Sequence, residues 1–296
     1  MPPAVTPALS DPSRHGVPMP SLVGVEHRWV RAGDVVLHVA EAGDGPPLLL
    51  LHGWPQHWWI WRHLIGELAR THRVICPDLR GHGWSEAPRG SYAKARLAAD
   101  ILALLDALEV ERTPVVGHDW GGWTSFLLGI EAPERISRVL SLGIPHPWLR
   151  TKRSPRVPLF GSYQLLVSTT VLGQADLRSV PAVFERLIQA GTTHHEAFTD
   201  RDLKLYSRIL QDPDHAAATT ALYRTFLTRE THQRGSLGPL TVPAQVVIGA
   251  GDQIRWAVEF GPRPGIDVEV LPGAGHFLPE EAPDAVLARI RSTVLA

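Results

Sequence analysis

The stretch Thr113-Pro114-Val115-Val116-Gly117-His118-Asp119-Trp120-Gly121-Gly122 constrains this chain more than any other. Thr113–Val116 is a short β-branched run, too short for a helix and suited to a buried strand. Glycines follow at 117, 121 and 122, and Trp123–Ile130 then reads as a packed helix. A strand that turns sharply into a helix through glycines holds the side chain at its tip, here Asp119, up at the mouth of a cleft. An Asp in front of a helix is more ordinarily a turn residue or an N-cap. This stretch alone leaves both readings open.

The flanking chain supplies the setting such a turn needs. His27–Val30 and Val35–Val39 alternate around Ala32-Gly33-Asp34 and predict a β-hairpin. Pro47–Leu51 is a continuous apolar run, as in a strand buried on both faces, and Arg73–Cys76 is the next strand. Helices are expected over Trp58–Arg70 and Leu97–Leu108, and a strand over Ile136–Leu142. This alternation predicts an α/β fold with a mostly parallel central sheet and helices on both faces. From about Ile144 to Leu237 strand signals cease, and helical stretches at Val183–Ala190, Asp200–Leu210 and Ala216–Thr228 take over. The alternation resumes with strands at Ala244–Ile248 and Asp267–Leu271 and a last helix near Asp284–Leu295. A helical block between two strands of one sheet reads as an inserted helical lid, not a second domain, because the sheet needs both flanks to bury its core. The expected division is an N-terminal arm over residues 1–22, frayed and rich in Pro, Ser and Ala, a core of residues 23–143 and 238–296, and a lid of residues 144–237.

Composition removes several classes of function. With 29 basic and 30 acidic residues, a formal net charge of −1 gives no reason to expect nucleic acid or an anionic membrane as partner. No apolar run approaches the ~18 residues of a membrane span. The single cysteine, Cys76, allows no intramolecular disulfide and suggests a reducing, cytoplasmic setting. It lies in Val74-Ile75-Cys76-Pro77 and reads as a core residue. Gly81-His82-Gly83 reads as a turn and not a phosphate loop, no metal-ligand cluster stands out, and no cofactor is expected. Assembly as a homodimer is left open.

A carboxylate at such a turn is anionic at neutral pH and needs no base in order to attack. It needs an oxyanion hole, for which the backbone N–H of Trp120 is one candidate and that of Trp54, in His52-Gly53-Trp54-Pro55 after a central strand, the other. A cis Trp54–Pro55 bond would fix that turn. It also needs a base for water. His276, in Gly275-His276-Phe277 after the last strand, stands where the order nucleophile, acid, histidine places one. Asp252, in Gly249-Ala250-Gly251-Asp252, is the carboxylate that would orient it, and Gly143–Arg150 offers no alternative acid. A serine attacking saturated carbon would leave an ether that water cannot cleave. An aspartate leaves an ester, which histidine-activated water can hydrolyse. The set therefore points to displacement at sp³ carbon, as in epoxide opening or carbon–halogen cleavage.

His52-Gly53-Trp54-Pro55, Gly117-His118-Asp119-Trp120-Gly121-Gly122, Asp252 and His276 together resemble the epoxide hydrolases of the α/β-hydrolase fold, from roughly Val25 to the C-terminus. The resemblance implies two lid tyrosines that bind and protonate the epoxide oxygen. Tyr163, in Ser162-Tyr163-Gln164-Leu165, matches the first, and Tyr223, in Ala221-Leu222-Tyr223-Arg224, resembles the second, with Tyr206 in reserve. Trp54, Pro55, Trp120 and the two tyrosines would line the substrate site, and a small hydrophobic epoxide and water would be the partners. Most of the ten tryptophans fall between Trp54 and Trp123, and those not in the core are expected to form an apolar wall. Haloalkane dehalogenases are the rival reading, because a Trp directly after the Asp, such as Trp120, donates to halide there. A ligand-binding protein on a retired hydrolase fold would show a broken catalytic position, and none is broken.

Overall fold

The computed structural model describes residues 18–148, 164–165, 167–169, 181–231, 237–255 and 265–295. Its strands are β1 (Glu26–Ala32), β2 (Val35–Ala42), β3 (Pro47–Leu51), β4 (Arg73–Pro77), β5 (Thr113–His118), β6 (Ile136–Leu142), β7 (Ala244–Gly249) and β8 (Ile266–Leu271). They form one sheet in the order β1-β2-β4-β3-β5-β6-β7-β8. β2 runs antiparallel to both its neighbours, and every pairing from β4 to β8 is parallel. This is the α/β-hydrolase architecture.

Both faces of the sheet are covered, which is why the central strands read as unbroken apolar runs. Leu49 and Leu51 of β3 point into one cluster with α2 (Lys94–Ala107) and α3 (Trp120–Glu131). Leu48 and Leu50 point into the other, with α1 (Arg62–Leu68) and the C-terminal helices. Ile75 and Cys76 of β4 divide in the same way, and Cys76 is buried as expected, which pushes its thiol pKa up. Helix α2 has no side-chain cap at Ala93. Burial of Leu97, Ile101, Leu104 and Leu105 stabilises it instead, each side chain by roughly 1.5–3 kcal/mol.

Between β6 and β7 the described residues hold α4 (Pro181–Ala190), α5 (Asp200–Ile209) and α6 (Pro213–Thr225), followed by a π-turn over Phe226–Glu230, and no strand. β6 and β7 pair directly in parallel, so this helical block is an excursion from one sheet.

Several boundaries differ from the sequence reading for local reasons. Trp58–Arg70 is not one helix. A 3₁₀ turn over Trp58–Trp61 comes first, with the His57 ring accepting the Trp59 N–H and Asp78 accepting that of Trp58 at 2.8 Å. The last helix, expected near Asp284–Leu295, runs as α8 (Pro283–Arg289) and gives way to a π-turn over Ile290–Val294, and a short α7 (Leu278–Glu281) precedes it, set apart by Pro283, which cannot donate to the preceding turn. The end of the arm expected over residues 1–22 lies against the core. Pro20 is buried, and Met19 and Leu22 pack on the second cluster, where their apolar surface leaves water.

Candidate active site

The ends of β3, β5, β7 and β8 all lead into one site. Asp119 sits between β5 and α3 at φ +50° and ψ −119°, a conformation that costs a non-glycine residue of order 1–3 kcal/mol. Neighbouring glycines leave it room. A Cβ on Gly53 would overlap the Asp119 side chain, and one on Gly121 would overlap the Leu51 carbonyl. The Asp119 amide is tied to the Leu142 carbonyl at the end of β6 at 3.0 Å. Its side chain makes none of the bonds of an N-cap. Instead the Trp54 N–H donates to Oδ1 at 3.0 Å, and the Trp120 N–H donates to the same carboxylate. The Trp54–Pro55 bond is cis.

His276 presents Nε2 to the other oxygen, Oδ2, at 3.8 Å. That is beyond a hydrogen bond, so the imidazole is near the carboxylate without being committed to it. Its Nδ1 is 2.8 Å from Oδ2 of Asp252, whose Oδ1 accepts the Ile254 N–H at 2.9 Å. Asp119, Asp252 and His276, separate in sequence, thus lie side by side.

Their charges are coupled. Burial would lower the His276 pKa, but the charge and hydrogen bond of Asp252, and then the charge of Asp119, outweigh it and raise it to about 9. Burial raises the Asp119 pKa, against the opposing pull of His276, the Trp120 and Trp54 amides and the Lys94 ammonium.

Tyr223 on α6 is buried against the two tryptophans beside Asp119, its ring edge-on to Trp54 at 5.2 Å and to Trp120 at 5.7 Å. Tyr163 lies outside the described residues. Tyr206 points elsewhere, its hydroxyl donating to Glu280 Oε1 at 2.7 Å in a cluster with Arg62 and Asp202. The apolar wall is narrower than the tryptophan count suggested. Trp54, Trp120 and Trp123 surround the site with Phe184 and Phe226, whereas Trp58, Trp61 and Trp84 belong to the core on the opposite face of the sheet. The adjacent Pro55 is buried. Among the described residues no group of three or more His, Cys, Asp or Glu is placed to hold a metal ion.

Two residues the sequence reading did not single out fix the His276 loop. Glu281 accepts the N–H groups of Gly275 at 3.0 Å and Phe277 at 3.0 Å, and, from the helical excursion, those of Thr193 at 2.7 Å and His194 at 3.2 Å. His118 donates from Nε2 to the His276 carbonyl at 2.9 Å, and burial holds its pKa well below the usual value, so it does so as a neutral ring. His118 was visible beside Asp119 in the turn. Nothing in the sequence marks Glu281, since its partners are backbone groups.

Residues 46–283 match the family described as the alpha/beta hydrolase fold. The AB hydrolase superfamily protein YfhM of Bacillus subtilis is 32% identical over 78% of this chain and 82% of its own length. The fluoroacetate dehalogenase of a Burkholderia species is 29% identical over 88% and 91%. The solved structure of the epoxide hydrolase CorEH superposes with a TM-score of 0.83 at 28% identity, covering 91% of this chain and 98% of that one.

Proposed function

We propose, because this chain belongs to the α/β-hydrolase fold family and is a hydrolase, that it opens epoxides to vicinal diols through an ester on Asp119. One observation carries the reading. The nucleophile position holds a carboxylate whose two oxygens meet different partners, the Trp54 backbone N–H at Oδ1 and the His276 imidazole at Oδ2. In the first step Oδ2 attacks a ring carbon. The carbon–oxygen bond breaks, and the electron pair moves to the epoxide oxygen. Tyr223, with Tyr163 as its partner, donates the proton. The helical excursion acts as the lid that brings Tyr223 over the nucleophile.

In the second step water attacks Cγ of Asp119 and His276 takes its proton. The oxyanion then forms on Oδ1, where the Trp54 amide already points, with the Trp120 amide beside the same carboxylate. Collapse expels the second diol oxygen as an alkoxide, which takes the hydroxyl proton of the new carboxyl group and so restores the carboxylate, and the proton on His276 returns to the tyrosinate. The electrostatics support this order. Esterification removes one of the charges that raise the His276 pKa, so the imidazole becomes a better-matched base at the moment it is needed.

A second reading has its own support. Nε1 of Trp120 is buried beside Asp119 with no hydrogen-bond partner among the described residues, and could serve a halide. One experiment tests both: incubate the protein with styrene oxide, with 1-bromobutane and with fluoroacetate, and measure diol and halide ion. Diol from styrene oxide supports the epoxide reading. Halide release with no diol from a panel of epoxides overturns it.

A further inference from the structure

A buried ammonium lies behind the turn, and the chemistry above does not use it. Lys94 is the first residue of α2, and its side chain is 0% exposed. A charge removed from water must be paired, and these partners come from three elements. Nζ is 2.9 Å from Oε2 of Glu230 in the π-turn, donates to the Leu222 carbonyl of α6 at 3.2 Å, and stands 4.1 Å from the Trp120 ring centroid of α3. The Phe226 ring is 4.9 Å away. Oε1 of Glu230 also accepts the Lys94 N–H at 2.6 Å, holding the helix start that lacks a side-chain cap.

Two of these partners adjoin the chemistry. Trp120 directly follows Asp119 and carries one oxyanion N–H, and Leu222 directly precedes Tyr223. A cation against the Trp120 ring face fixes that ring, and the ring is what Tyr223 packs against at 5.7 Å. We propose that Lys94 is a positioning residue: its ammonium clamps the tryptophan of the turn to the helix that carries Tyr223 and supplies a fixed positive charge behind the carboxylate. The proposal rests on the epoxide-hydrolase reading for its kinetic consequences. Asp119 is otherwise faced by His276, with Asp252 behind it, and by the Trp54 and Trp120 N–H groups, while Lys94 is faced by Glu230.

The charge should matter most when negative charge sits on Asp119, as the free carboxylate or as the oxyanion of ester hydrolysis. The test uses Lys94→Met, Lys94→Arg and Glu230→Gln in the full chain with two readouts. The first needs no substrate: the carbon-13 titration of the Asp119 carboxyl in aspartate-labelled protein, assigned with Asp119→Asn. Lys94→Met should move the midpoint up, Lys94→Arg should leave it near wild type, and Glu230→Gln, which removes the opposing charge, should move it down. The second is single-turnover kinetics with styrene oxide, where Lys94→Met should slow hydrolysis of the ester on the order of tenfold or more and Lys94→Arg should restore most of it. A wild-type midpoint and hydrolysis rate in folded Lys94→Met overturn the proposal, as does a Lys94→Arg protein as impaired as Lys94→Met. If Lys94→Met does not fold, Glu230→Gln decides, and a midpoint that fails to fall overturns the proposal. If wild type opens no epoxide, the epoxide reading fails by itself, and the titration still judges Lys94.

Discussion

In the proposed mechanism Asp119 and His276 serve different half-reactions, so replacing them should give different failures. His276→Gln leaves alkylation available and removes the base for water. It should accumulate protein heavier by one substrate mass, located on Asp119 by peptide mass spectrometry, while Asp119→Ala forms no adduct. In single turnover of wild type in isotopically heavy water, label should enter the Asp119 carboxylate, because water attacks Cγ and not the epoxide. Label in the diol from the first turnover would remove Asp119 as nucleophile. For the tyrosines, Tyr223→Phe and Tyr163→Phe should each lower the rate of epoxide opening on the order of 10- to 1000-fold, as expected of oxyanion donors. Tyr206→Phe should instead leave the rate near wild type and destabilise the fold by about 1–3 kcal/mol, since Glu280 Oε1 loses its 2.7 Å donor in a buried cluster. Steady-state kinetics and urea unfolding of the three variants separate these outcomes.

Among the elements, the loop between β8 and α7 is held least by regular structure and most by one side chain. Glu281 gathers both neighbours of His276 and two amides of the 193–194 turn, and the His276 N–H bonds the Gly191 carbonyl at 2.8 Å. His276, the proposed base, is therefore positioned by the helical excursion as well as by its own loop. Glu281→Ala should lower the rate of ester hydrolysis more than that of alkylation. A displacement of about 1 Å at a reacting group can cost on the order of 100-fold. Rapid-quench measurement of the two steps checks this, and equal loss in both would show that the loop does not act through His276. The cap at the start of α5 is a separate device. Thr199 and Asp202 form a capping box there, and Thr199→Ala should cost about 1 kcal/mol in thermal or urea unfolding with no change in either chemical step.

Across the whole molecule, stability should depend on pH through its buried histidines. Burial, then the neighbouring His38, lowers the His27 pKa from 6.5 to about 4, and burial, then His52, lowers that of His82 to about 3. Burial likewise lowers His52 and, strongly, His118. These rings bind protons more weakly folded than unfolded, so their stabilisation is complete above pH 6.5 and is lost as pH falls from 6.5 toward 3. His276 has the opposite sign. With its pKa raised to about 9, its contribution is complete below 6.5 and is lost as pH rises through 9. Urea midpoints measured across this range should therefore peak close to pH 6.5 and decline on both sides. A midpoint that keeps rising from pH 6 down to pH 4 would contradict the neutral burial of these rings.

The amino-acid sequence by itself located the strands of the sheet, because burial on both faces imposes unbroken apolar runs, but not all of their ends: β2, expected to stop at Val39, runs on to Ala42, and β5, expected to stop at Val116, runs on to His118. It also determined the order Asp119, Asp252, His276 and the turn that bears Asp119, since each depends on local residue types. Breaks inside helices were less legible. The 3₁₀ turn at Trp58 depends on Asp78, and the π-turn after α6 delivers Glu230 to Lys94, both through partners distant in the chain. Only the tertiary structure decided which tyrosine packs against Trp54 and Trp120, because Tyr206 and Tyr223 sit in similar helices and differ only in what faces them. The same holds for Glu281 and Lys94. A carboxylate that binds backbone amides, and an ammonium paired across three elements, leave no spacing in the sequence by which to find them.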